Sequence, residues 1–309
     1  MDTNAFFKPK LLSTTLNKLP HKSTGIKKRI FLVGSGRCGT TLLQGLIWAH
    51  PEIYSCPETH YFQSLQSNSR ISQMLGISDA AHDQICNRFL SYMIQEHQLD
   101  IPDTLPRNVT ERAQAFVHLM DTAALKTNNS YWLEKTPGHL YAIEEIKKYV
   151  ENVIFIHLVR SGTDTVASLW DTFRKFNREN PDWEDAKFSK LDDIAHNWVD
   201  AVDISMSYLS DPQHYVLRYG DLVANTEAVM RRICDFIQVD YNDAMLSNYT
   251  KTSTHYNEPW HQKVGSKITN YNNSKFYEVF TPGQQALVTN IVNAVDLSRI
   301  SMTNQEAHP

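Results

Sequence analysis

The chain has little with which to cross-link itself, span a bilayer or coat a polyanion. Its four cysteines, Cys38, Cys56, Cys86 and Cys234, include no C-x-x-C pair, so neither a disulfide framework nor a cysteine zinc site is expected. None of the thirteen histidines stands four residues from another, which removes the H-E-x-x-H pattern, and no metal site is expected. Apolar runs stay far short of the roughly 20 residues that span a bilayer, and the N-terminus lacks the apolar core of a signal peptide. No membrane span and a cytoplasmic location are therefore expected, and the Asn-x-Ser/Thr triplets at Asn108, Asn128, Asn248 and Asn272 read as chance matches. Positive charge is not in excess: 30 Lys and Arg against 34 Asp and Glu give a formal charge of −4, so no global field recruits nucleic acid. A local basic pocket stays open.

What is present is the composition of an ordinary globular protein. Residues 1–28, rich in Lys, Ser and Thr and poor in periodicity, are expected to form a mobile tail, and residues 29–309 a single domain. The domain is organised around Val33-Gly34-Ser35-Gly36-Arg37-Cys38-Gly39-Thr40-Thr41-Leu42-Leu43. An apolar run, Arg29–Val33, precedes this loop as a buried strand, and Leu42, Leu43, Leu46 and Ile47 follow it at helical spacing. A glycine-rich turn that feeds a helix N-terminus gathers unpaired N–H donors and the positive end of the helix dipole at one point. The expected ligand is a phosphate; a bare strand-to-helix turn is the alternative.

Gly34, Gly39 and Thr41 fit the nucleotide P-loop pattern, but Thr40 stands where that pattern has its lysine, and Arg37 is the loop's one cation. ATP with magnesium is therefore not the expected ligand. Cys38, within the loop, reads as a buried and inert thiol.

Further along, Pro51 and Pro57 bring Glu58 and His60 back near the first strand, where ligands of open α/β sheets bind. Residues 64–130 follow helical periodicity, with Phe116, Leu119, Met120 and Ala123 on one face, and are broken at Pro102 and Pro106. Tyr131–Lys135 reads as a strand ending in a cation, and Val153–Arg160 as a buried strand ending in another. Ser161 can cap the next helix, Asp164 can complete its box, and Ser168 lies about two turns in, where Arg160 and Ser168 could share one phosphate. Residues 174–193 read as a charged loop or short helical excursion, and Tyr215–Tyr219 as a further strand. The polar run His261–Lys267 ends on Ser266 and Lys267, a hydroxyl and a cation for an anion. Strands alternating with helices give an α/β fold with a central parallel sheet flanked by helices.

Taken together, these segments resemble the sulfotransferases that use 3′-phosphoadenosine 5′-phosphosulfate (PAPS), over most of residues 29–270. The resemblance rests on Gly36-Arg37-Cys38-Gly39-Thr40-Thr41-Leu42 and on Leu158-Val159-Arg160 with Ser168. It implies a P-loop-like fold with helical insertions, PAPS as co-substrate and no metal. Gly36, Arg37, Cys38, Gly39, Thr40 and Thr41 would cradle the 5′-phosphosulfate, Arg160 and Ser168 the 3′-phosphate, and Tyr219 in Arg218–Leu222 would lie near the cofactor, with Ser266 and Lys267 completing the set.

Cytosolic small-molecule members place a histidine two residues beyond a strand-end lysine, but Pro137 stands there after Lys135. Cys56-Pro57-Glu58-Thr59 instead resembles the protein-tyrosine and several bacterial sulfotransferases, which use a glutamate as base. The implied reaction is in-line transfer of a sulfuryl group to a hydroxyl or amine, with Glu58 as base and Arg37 and Lys135 stabilising charge. His60 and His139 remain alternative bases. The acceptor is open among a small molecule such as a phenol, a saccharide, a lipid alcohol and a peptide. The rival readings are a kinase or nucleotidase with a degenerate Walker-A loop and a catalytically retired nucleotide-binding module.

Overall fold

The computed structural model describes residues 25–66, 69–99, 101, 105, 107–179, 190–249 and 273–300. Five parallel strands, β1 (Lys28–Gly34), β2 (Ile53–Ser55), β3 (Tyr131–Lys135), β4 (Val153–Val159) and β5 (His214–Arg218), lie in the order β2-β3-β1-β4-β5. The described helices are α1 (Thr40–Trp48), α2 (Arg70–Met74), α3 (Ala81–His97), α4 (Val109–Lys126), α5 (Ile143–Tyr149), α6 (Gly162–Glu179), α7 (Leu191–Ser207), α8 (Tyr219–Ala224), α9 (Thr226–Ile237), α10 (Ala244–Ser247), α11 (Asn273–Val279) and α12 (Pro282–Val292). None of them is long and apolar enough to cross a membrane.

Because helices cover both faces, the strands are apolar on both. Ile30, Leu32, Leu133, Ile154, Ile156, Leu158 and Leu217 pack with Leu43, Leu46 and Ile47 of α1 and Val229, Ile233 and Ile237 of α9. On the opposite face, Phe31, Val33, Trp132 and Phe155 meet α3, α4 and α5, while Val159 and Val216 meet α6, α7 and α12. Phe116, Leu119, Met120 and Ala123 of α4 are buried together, as their spacing predicts. One polar cluster enters this core: Arg29 holds Asp121 through two bonds of 3.0 and 2.6 Å, and the Trp132 indole donates to the same carboxylate at 2.7 Å.

Three expectations change at the boundaries. Ile53–Ser55, between the two prolines that mark extended chain or turns, pairs with β3 and becomes the sheet edge. The last strand begins at His214, and Tyr219 opens α8 instead of closing the strand. Residues 174–179, expected as loop or a short helical excursion, continue α6 to Glu179. Pro102, Pro106, Pro181, Trp183 and the run His261–Lys267 lie outside the described residues.

Strand β1 is central, and the chain reaches β2 and β3 on one side of it before crossing to β4 and β5 on the other. The loop after β1 therefore opens at the switch point of the sheet, between the carboxyl ends of β3 and β4. A side chain added at Gly34 would meet the Leu158 carbonyl of β4 at 2.5 Å, so only glycine lets the chain leave the sheet there.

Three buried histidines make the fold sensitive to acid. Burial lowers the pKa of His82 to about 4 and that of His214 to about 4, and holds that of His157 well below the ordinary histidine value, with His214 adding to the effect. The His157 Nε2 to His214 Nδ1 contact of 2.9 Å holds one proton, and His82 Nδ1 lies 3.0 Å from the Arg112 guanidinium. Below about pH 6.5 the unfolded chain binds protons that the folded chain refuses, so stability is lost as pH falls toward 4. The melting temperature should therefore decline already between pH 6.5 and 5, above the range in which carboxylates titrate. A flat melting temperature across that interval, followed by circular dichroism, would contradict this account.

Candidate active site

Helix α1 begins without a side-chain cap: Gly39 occupies the N-cap position in the left-handed region, with φ of 102°. Its first-turn N–H groups face the loop, where they and the helix dipole favour an anion. Glycine is required here, since a Cβ would meet the Tyr219 ring at 2.5 Å. That ring carries the Arg160 guanidinium at 5.0 Å from its centroid, so loop, ring and arginine form one stack.

Arg37 is held in the left-handed region, with φ of 64°. Such a backbone costs roughly 1–2 kcal/mol outside glycine, and its carbonyl receives the Arg160 Nη1 donor at 3.3 Å while its Nε lies 3.4 Å from Ser168 Oγ. Burial lowers the Arg37 pKa, and the nearby Arg160 lowers it further. Two guanidiniums and a serine hydroxyl thus converge from the loop, the tip of β4 and α6. Among the described residues Arg160 Nε is buried without a hydrogen-bond partner; Asp164 Oδ2 lies 3.9 Å away. Burial raises the Asp164 pKa, against a hydrogen bond from Ser161 and the charge of Arg160. Ser161 caps α6 as expected, accepting from the Asp164 N–H at 3.3 Å, and its hydroxyl returns a bond to that carboxylate at 2.9 Å. In the same loop the Cys38 thiol is buried, and burial pushes its pKa to about 11, so it is an inert packing group.

On the other side of the loop, Lys135 at the tip of β3 is fully buried and pairs with Glu58, its ammonium also lying 3.4 Å from Thr41 Oγ1. The Glu58 side chain is 27% exposed, so the pair opens to solvent on the carboxylate side. Its second oxygen faces His60 Nε2 at 3.5 Å.

Two buried side chains hold Glu58 in this position. Gln44 of α1 donates to Ser55 Oγ at 2.9 Å and to the Cys56 carbonyl at 2.8 Å, fixing the chain two residues before Glu58. Beyond it, the Glu134 carboxylate accepts from the Thr59 N–H at 3.2 Å and from the hydroxyls of Thr59 and Thr136 at 2.8 and 2.6 Å. His139 donates through Nδ1 at 2.7 Å to the same carboxylate, and its Nε2 accepts from the Phe62 N–H at 3.0 Å. Burial raises the Glu134 pKa, but His139 and these hydrogen bonds outweigh it and hold it at about 2. His139, with both ring nitrogens engaged inside the fold, orients the loop from beneath.

With this geometry in place, the comparisons with known proteins become decisive. Residues 29–243 match the Sulfotransferase family. The chain belongs to the sulfotransferase family. The protein-tyrosine sulfotransferase of Drosophila melanogaster is 26% identical over 231 residues, 70% of this chain and 39% of the relative. Protein-tyrosine sulfotransferase A of Caenorhabditis elegans is 24% identical over 70% of this chain and 51% of its own length. The chain thus spans about 39–51% of these curated relatives. Among solved structures, the sulfotransferase domain of the Synechococcus PCC 7002 olefin synthase superposes with a TM-score of 0.55 at 19% identity, covering 91% of this chain and 98% of that domain. It shares the fold.

Within this sulfotransferase fold, Gly36, Arg37, Cys38, Gly39, Thr40, Thr41, Glu58, Lys135, Arg160, Ser168 and Tyr219 all lie in or beside the loop after β1, at the carboxyl edge of the sheet or on the helices facing it. Ser266 and Lys267 lie outside the described residues. Gln44 and Glu134 escaped notice in the sequence. A polar residue in an otherwise apolar helix and a carboxylate in a buried strand were the available signals. Replacing Glu134 with Gln should lower the melting temperature and the turnover together, at about 1.5–3 kcal/mol for each charged hydrogen bond lost. Thermal melts and turnover of the purified variant check this, and a variant unchanged in both would remove Glu134 as the anchor.

Proposed function

We propose that the protein transfers the sulfuryl group of PAPS to a hydroxyl or amine of an acceptor, with Glu58 as the general base. The observation that carries this reading is the meeting of Arg37, Lys135 and Arg160 around the uncapped end of α1, with the Glu58 carboxylate beside them. Two neighbouring guanidiniums, one with an orphaned buried Nε, fit an anion better than they fit each other. PAPS supplies two such anionic points and an activated sulfuryl group. Arg160 and Ser168 suit its 3′-phosphate, and Arg37, Thr40, Thr41 and the α1 N–H groups suit its phosphosulfate.

In this reading Glu58 takes the acceptor proton, and Lys135 and Arg37 offset the charge that builds on the oxygens around sulfur. Glu58 and Lys135 hold one another until the acceptor arrives. The relatives' names make a tyrosyl peptide the first acceptor to try, with 4-nitrophenol as a simple phenol. A kinase reading is weaker because Thr40 stands in the loop-lysine position and β4 runs into Arg160, where a Walker-type strand offers its magnesium aspartate.

Glu58→Gln keeps a carbonyl for the buried Lys135, so folding should survive while turnover falls about 10²–10⁴-fold. Calorimetry should find PAPS affinity nearly unchanged in this variant, and near-normal turnover would remove Glu58 as the base. Arg160→Ala should weaken PAPS affinity much more than it slows chemistry; an unaltered dissociation constant would refute its assignment. In a thermal-shift assay, adenosine 3′,5′-bisphosphate without metal should raise the melting temperature of the wild-type protein, by mass action on the folded state. A rise with ATP and magnesium alone would favour the kinase.

A further inference from the structure

The two oxygens of Glu58 have different neighbours. One pairs with Lys135, which is fully buried, and the other faces Nε2 of His60, whose side chain is 40% exposed. The His60 ring is aimed by three constraints. Its backbone is in the left-handed region, with φ of 55°. Its N–H donates to Thr136 Oγ1 at 3.1 Å, and its Nδ1 lies 2.8 Å from Gln63 Oε1. The amide oxygen can only accept, so Nδ1 carries the proton and, in the neutral ring, Nε2 presents a lone pair to Glu58.

Six non-glycine residues have positive φ among the described residues. Gln98 and Gln238 close helices and Asn128 and Asn152 sit in turns, where this conformation is ordinary. Arg37 and His60 are left, and both belong to the site. Strain held at such a position marks a geometry that the surroundings enforce.

We propose that His60 acts through Glu58 as a positioning residue and proton relay, carrying the proton from the half-buried Glu58 carboxylate to bulk water. The inference rests on Glu58 being the base. As the acceptor oxygen bonds to sulfur and the bridging sulfur–oxygen bond breaks, its electron pair leaves with adenosine 3′,5′-bisphosphate, and the acceptor proton passes to Glu58. The carboxylic acid then gives that proton to His60 Nε2, and the imidazolium releases it to water, leaving Glu58 and His60 in their starting states. The separation of 3.5 Å is one that a small side-chain motion closes, as catalytic contacts commonly tighten once substrate is bound. The charged groups that the structure brings to His60 are Glu58 and, through it, Lys135.

Nuclear magnetic resonance of the full chain with labelled imidazoles tests the link without an acceptor. The His60 signal is assigned by its disappearance in His60→Asn, a residue that tolerates the left-handed backbone. In the neutral imidazole its ring-nitrogen shifts should show the proton on Nδ1 and a bare Nε2 toward Glu58, and the opposite tautomer would overturn the proposal. Turnover of PAPS with a tyrosyl peptide or 4-nitrophenol gives the second readout. His60→Asn should lower kcat about tenfold with KM for PAPS unchanged and should alter the acidic limb of the pH profile. His60→Gly, which suits the backbone and leaves room for a small base, should recover several-fold with added imidazole, whereas Glu58→Gln should not. If Glu58→Gln abolishes turnover while His60→Asn matches the wild type at every pH, the base assignment stands and the relay falls. If Glu58→Gln turns over normally, both fall.

Discussion

A carboxylate kept ionised inside the protein sets the shape of the whole catalytic edge. Glu134 and Lys135 are consecutive residues of β3 and so point to opposite faces of the sheet. Glu134 draws in Thr59, Thr136 and His139 on one face, and Lys135 draws in Glu58 and Thr41 on the other. The loop from Cys56 to Phe62 is therefore fastened on both sides of one strand tip. Each hydrogen bond to the buried Glu134 carboxylate is worth about 1.5–3 kcal/mol, which makes this arrangement hard to deform.

The same economy of scaffold governs the anion cradle. Loop, helix end and β4 tip bring positive charge together: burial and then Arg160 lower the Arg37 pKa, outweighing the opposing charges of Glu58 and Asp171, while Asp164 lies 3.9 Å from Arg160. Such an imbalance is stable because the sheet, the Tyr219 ring and the left-handed turn at Arg37 hold each group in place. In the proposed function a ligand with separated anionic groups completes the balance. Fixed dipoles and charges aimed at one point are also what a transfer reaction needs, since they require no rearrangement when charge develops.

The outline of the fold was legible in residue order alone. Short apolar runs alternating with helical periodicity specify β1, β3, β4 and β5 and the helices between them, because a strand covered on both faces is apolar along most of its length. The short edge strand β2 was not legible: three residues between turns carry too little pattern, and only pairing with β3 defines them. The loop glycines, Arg37, Arg160 and Ser168 were readable because their spacing is local to a strand end and the following helix. Lys135 announced itself as a cation at the end of an apolar run.

Partnership was the part left to the tertiary structure. Glu58 and Lys135 are 77 residues apart, and Arg37 and Ser168 are 131 apart, so no local pattern joins them. Glu134 read as one more strand residue, and His139 as a candidate base, until packing buried both and joined them in a hydrogen-bonded pair. The sequence by itself determined which side chains could carry charge, and at which strand ends they stand, because those follow from periods of two and of 3.6 residues. Only the folded sheet decided which of them meet, since contact across β3, β1 and β4 depends on strand order and register, quantities that no stretch of the chain contains on its own.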